Sequence, residues 1–142
     1  MNRIITFLLG IGAMVFFFMG TRFPLAEVPL LGELNFHEAT WGGKIRLGVI
    51  LALLFLSMLG FAVRRFEKVP LILASCAIGF VGNVLLSAFL WREENTENLA
   101  QLGSEAIANG VVWQAGAAHF ALGAVLCVAY CIALIARRTE TK

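Results

Sequence analysis

Apolar positions gather into four runs, residues 4–20, 47–63, 70–91 and 111–136, and none of these contains Asp, Glu, Lys or Arg. The runs are 17, 17, 22 and 26 residues long. A helix needs about 20 apolar residues, with a range of about 17–25, to cross a hydrocarbon core ~30 Å thick. The first two spans are therefore minimal, and the last is long enough to tilt or project. Lipid offers no partner to backbone N–H and C=O groups, so the runs are helices rather than open strands. The pattern predicts an all-α membrane protein: an antiparallel four-helix transmembrane bundle forming a single domain over 1–142.

Lys and Arg orient it. Arg3, Arg64, Arg65, Lys68, Arg137, Arg138 and Lys142 lie on one side with only Glu67 and Glu140 for company. The opposite side holds Arg22, Lys44, Arg46 and Arg92 against Glu27, Glu33, Glu38, Glu93, Glu94, Glu97 and Glu105. Cytoplasmic loops carry the excess of Lys and Arg, so both termini are expected to be cytoplasmic. Trp41, Trp91 and Trp113 fall at or near outer span ends, as an aromatic belt requires. Lys44 and Arg46 run against the trend. Arg3 ahead of an apolar run is how a signal peptide begins. However, no small-x-small site follows residues 16–20, and the run exceeds the usual ~7–15 residues. Span one is read as retained.

Composition fixes the class. Of 142 residues 60% are apolar and 14% charged, against about 45–50% and about 25% in soluble domains. The mean hydropathy is +0.86. An ordinary soluble enzyme and a nucleic-acid-binding module are both excluded. The cysteines, Cys76, Cys127 and Cys131, lie inside spans three and four, leaving no disulfide framework for the outer loops. No Asn-x-Ser/Thr acceptor is present. Both features fit a bacterial inner membrane better than a eukaryotic cell surface.

The connections differ in character. The outer loop over 21–46 is long and holds Pro24, Pro29 and too many apolar residues for a solvated segment. Its polar–apolar alternation over 33–37 predicts a short strand, and Phe36, His37 and Trp41 are candidate outer-face partner contacts. In the second outer loop Asn95 or Thr96 is suited to cap a helix that Gly110 could end. Leu99, Leu102 and Ala106 share one face, which predicts a short interfacial helix. Pro70 opens span three, where a missing N–H costs nothing. The layout is similar to that of claudin-type tetraspan proteins, although the first outer loop lacks that family's paired cysteines.

Spans three and four carry the densest polar pattern. Ser75, Gly79, Asn83 and Ser87 recur at i+4, and so do Ala115, His119, Gly123, Cys127 and Cys131. Small residues permit close helix approach and polar ones hydrogen-bond across the gap. The two lines are therefore expected to pack stripe to stripe as a polar seam of Ser75, Gly79, Asn83, Ser87, His119, Gly123 and Cys127. At 1.5 Å per residue Asn83, His119 and Ser87 lie roughly 12, 9 and 6 Å below the outer belt. That depth predicts a hydrogen bond from His119 to Asn83 or Ser87.

No carboxylate or cation lies in a span, which disfavours ion-coupled transport and proton pumping. No H-E-x-x-H, phosphate loop or nucleophile–base set is present. Cys127 and Cys131 have only Cys76 as a further soft ligand, too few for a zinc site. No metal and no cofactor are expected, and no catalytic residues are assigned. The leading reading is a non-catalytic accessory subunit of a larger membrane complex, or a homo-oligomer. Its partners would be membrane lipids and other integral subunits or itself, not nucleic acid. An immunity-type protein against a pore-forming toxin is a second reading. The third is a small redox or lipid- or quinone-handling enzyme centred on His119 and Asn83.

Overall fold

The computed structural model describes residues 3–28, 32–34, 42–63, 68–101 and 112–140. Its elements run α1 (Arg3–Gly20), β1 (Ala26–Val28), β2 (Gly32–Leu34), α2 (Gly43–Val63), α3 (Val69–Gln101), β3 (Val112–Trp113) and α4 (Ala115–Glu140). All four helices are long and apolar enough to span a membrane. They pack as an antiparallel four-helix bundle. The broadest contact joins α1 to α4, and the next joins α2 to α3.

Each helix starts or stops for a local reason. At the end of α1 the Thr21 hydroxyl and amide both donate to Phe18 O, and Arg22 N donates to Met19 O, closing the last turn tightly. Gly42, at φ +70°, offers its carbonyl to Arg46 N as α2 begins, in backbone geometry that glycine adopts without strain. Pro70 sits in the first turn of α3, where a prolyl nitrogen forfeits no hydrogen bond. At the start of α4, Gln114 N and Gly116 N donate to Leu25 O and Pro24 O. The first outer loop thus satisfies amides that would otherwise be orphaned.

The same loop forms a small antiparallel sheet in the order β2-β1-β3. Ala26 pairs with Leu34 on one side and Trp113 on the other. Glu33 and Leu34 of the expected strand over 33–37 do lie in a strand, and residues 35–37 lie outside those described. The sheet ties the first outer loop to the entry of α4. Gln114 Nε2 reinforces it with a 2.8 Å hydrogen bond to Glu27 Oε2.

The second outer loop differs from the expected separate helix capped at Asn95 or Thr96. The helical stretch is present to Gln101, but it continues span three without a break. At 33 residues, α3 is about 50 Å long at 1.5 Å per residue, well beyond the hydrocarbon core. Residues 102–111 lie outside the described set.

The core is a heptad seam on every helix. Buried positions fall at Thr6, Gly10, Ala13, Phe17 and Gly20 on α1, and at Gly43, Leu47, Ile50, Leu54, Ser57 and Met58 on α2. On α3 they fall at Pro70, Ala74, Ala77, Val81 and Val84. On α4 they include Gly116, Phe120, Gly123, Cys127, Tyr130 and Leu134. Alternating steps of four and three keep one face turned inward, the geometry of left-handed transmembrane bundles.

Candidate functional site

Lipid tails are as apolar as leucine, so the helices are held by shape and by a few polar contacts rather than by exclusion of water. Two aromatic knobs give the α1–α4 contact its shape. Phe17 packs against Gly123 and Phe120, the two rings 5.0 Å apart. Tyr130 and Met58 fill the space in front of Gly10. Tyr130 also carries the main buried polar group. Ser57 Oγ donates to Pro70 O at 2.7 Å, which leaves Tyr130 OH to donate to Ser57 Oγ at 3.0 Å. One hydroxyl pair therefore joins α2, α3 and α4. Sequence reasoning passed over Ser57 and Tyr130. The available signal was that Tyr130 is the only tyrosine and stands in a span, where its OH demands a partner.

His119 is placed otherwise than expected. Its Nδ1 lies 2.6 Å from Ala115 O, in its own helix. A carbonyl only accepts, so Nδ1 carries a proton and donates it. The ring stacks on Phe23 at 5.0 Å and 19°, with Phe16 at 5.9 Å. No hydrogen bond joins it to Asn83 or Ser87. The outer loop and α1, rather than α3, supply its neighbours.

The seam divides for a geometric reason. At 3.6 residues per turn, four residues overshoot a full turn by about 40°, so a strict i+4 line winds round the helix by about 120° in three steps. On α3 the line begins toward α4, where Ser75 Oγ meets Cys131 Sγ at 3.8 Å. It ends toward α2, where Ser87 Oγ accepts from Arg46 Nη1 at 2.7 Å and donates to Asn83 O at 2.9 Å. On α4, Gly123 faces Phe17 of α1, and Cys127 is fully buried in the core. A line of Ser75, Gly79, Asn83 and Ser87 facing one of His119, Gly123 and Cys127 does not form. Only heptad steps hold a constant face. Arg46, which ran against the charge trend, spends its side chain bridging two helices.

Between Ser75 and Ser87 the α3 line looks outward. Gly79 and Asn83 are exposed, and a Cβ on Gly79 or Gly82 would meet nothing within 4 Å. Cys76 is also exposed. Phe36, His37 and Trp41 lie outside the described residues. Among the described residues no three His, Cys, Asp or Glu side chains are grouped to hold a metal ion.

No protein-family model, curated protein or solved structure matches this chain. Its chemistry is therefore that of its own residues. It is a small four-span membrane protein with a buried hydroxyl pair, a histidine stacked on Phe23, and an exposed asparagine just after two open glycines.

Proposed function

We propose that the protein works non-catalytically, by lateral association of its helices in a bacterial inner membrane, as an accessory subunit or a homo-oligomer with both termini cytoplasmic. The observation that carries this reading is Asn83. Its side chain is exposed on a membrane-spanning helix, where an unmet amide is costly. Gly82 beside it and Gly79 one turn before it leave open space, so a second helix can approach closely. An amide both donates and accepts, so Asn83 from a second copy, or a polar group of another span, satisfies it. The excess of Lys and Arg at the end holding both termini supports the orientation.

The test is Asn83→Leu, with association followed by energy transfer between labelled copies in vesicles and by native mass measurement of tagged protein taken from its host. Loss of association with unchanged thermal stability of the isolated chain is the expected result. Association equal to that of the wild type overturns the proposal.

A further inference from the structure

At the end of the bundle that holds both termini, α1 and α2 leave an apolar groove of about 260 Å³ lined by Arg3, Ile4, Phe7, Leu8, Phe61 and Ala62. Ile4 and Leu8 are 65% and 58% exposed, so the groove opens on the lipid-facing side. Arg3 lines the groove with its apolar stem, and its guanidinium sits beside it at the end of α2. Arg3 Nη2 donates to Phe61 O at 3.1 Å and Ala62 O at 2.9 Å, the last carbonyls of α2, where the negative end of the helix dipole favours a cation. Those two bonds use the hydrogens of Nη2. A guanidinium has five N–H donors, so the three on Nε and Nη1 remain without an acceptor among the described residues.

A second cation converges on the same ring. The Arg3 and Arg137 guanidinium carbons lie 5.5 and 5.2 Å from the Phe61 centroid. Lys68 is exposed at the foot of α3. The open N–H edge of Arg3, beside an apolar groove, is complementary to an anion with an apolar tail. Guanidinium favours phosphate because its planar fork can bond two oxygens at once.

We propose that this groove seats one anionic phospholipid, with an acyl chain along Ile4, Phe7 and Leu8 and its phosphate on the open N–H edge of Arg3 beside Arg137. This goes beyond lateral association and borrows from it only the orientation, which puts the groove in the leaflet richer in anionic lipid. The charges recognise the headgroup, and the groove selects a lipid over a free phosphate.

The full-length chain in a mild non-ionic detergent, titrated with palmitoyl-oleoyl phosphatidylglycerol or with phosphatidylcholine of the same chains, tests it by native mass spectrometry. One phosphatidylglycerol per chain is expected to be retained, at about fivefold higher affinity than phosphatidylcholine, as one nearby cation warrants. Soluble glycerophosphate should not compete at equal concentration. Arg3→Gln should lower the preference about fivefold. Because Arg3 also caps α2, Ala62→Phe supplies an independent variant. It fills the lipid-facing groove, leaves both carbonyl bonds in place, and should lower retention to the phosphatidylcholine level.

Equal retention of the two lipids by the wild type, or undiminished retention by Ala62→Phe, overturns the proposal. Effective competition by glycerophosphate also overturns it, in favour of a plain anion site. Binding in micelles depends on neither orientation nor association, so its failure is distinct from failure of the Asn83 reading.

Discussion

The Phe17 ring lies so close to Gly123 that a Cβ there would fall 2.8 Å from its Cδ1. Glycines across the bundle differ sharply in this respect. At Gly116 the added carbon would meet the Phe23 and Pro24 carbonyl oxygens at 2.6 Å, and backbone cannot swing aside. At Gly10 it meets the flexible end of Met58. The expected order of damage on substitution by alanine is Gly116, then Gly123, then Gly10. Gly123→Ala should cost about 1–3 kcal/mol, as overpacking does, and Gly116→Ala more. Gly79→Ala and Gly82→Ala should match the wild type or gain up to about 1 kcal/mol from helix propensity. Denaturant titration of the detergent-solubilised protein reads the series, and a harmless Gly116→Ala would contradict the packing of the Phe23–Pro24 loop on the start of α4.

The Ser57–Tyr130 pair makes a separate claim. Tyr130→Phe keeps the ring over Gly10 and deletes one interhelical hydrogen bond, so a loss of about 0.6–1.7 kcal/mol is expected. Ser57→Ala should cost more. It also releases Pro70 O and leaves the fully buried Tyr130 hydroxyl without its acceptor. A double-mutant cycle should show coupling. If the two losses simply add, the hydroxyls do not interact.

These two groups of residues show which features were legible in the sequence and which were not. The spans stand out because each lacks charge over a membrane's thickness, and a hydrocarbon core demands that. Helix rotation does not stand out in the same way. Lipid and protein interior are equally apolar, so hydrophobicity barely distinguishes the inward face from the outward one. Rotation must then be inferred from small and polar residues. The i+4 line of Ser75, Gly79, Asn83 and Ser87 is an easily seen pattern but winds off any face. The 4-3 alternation of Thr6, Gly10, Ala13, Phe17 and Gly20 keeps to one, although it mixes a polar, an aromatic and three small residues. The i+4 lines and depth together point His119 toward Asn83 and Ser87, but its neighbour Phe23 lies in a loop whose fold back over the helices depends on the β1–β3 pairing.

Thiol chemistry offers a direct check on rotation. Cys76 is exposed, whereas Cys127 and Cys131 are buried. Treated with a small membrane-permeant maleimide in mild detergent, the native protein should take up one equivalent at Cys76. Two more should follow only on unfolding. Rapid labelling of Cys127 in the native state would mean that α4 is turned differently from its heptad seam.

Orientation is tested apart from packing. In a cysteine-free background, Asn98→Cys should react with an impermeant maleimide added outside intact cells or spheroplasts. Glu67→Cys should react only after the membrane is opened. The reverse pattern would invert the topology and remove the reason for placing the Arg3 end in the cytoplasmic leaflet.

His119 separates a structural role from a ligand-binding one. Its ring stacks on Phe23 and its Nδ1–H is spent on Ala115 O, so the packing depends chiefly on a flat ring. His119→Phe keeps the stack, and Ala115 O retains the acceptor geometry of an α-helix, so stability should change by less than about 1 kcal/mol. His119→Ala removes the ring contact and should cost about 0.5–1.5 kcal/mol beyond the lost packing. If the residue only anchors the outer loop to α4, association and cellular function should follow stability, with His119→Phe close to the wild type. A ligand held at Nε2 makes a different demand, because phenylalanine has no lone pair. A stable, correctly assembled His119→Phe protein without function would therefore exclude the anchoring role as sufficient and identify Nε2 as the working atom.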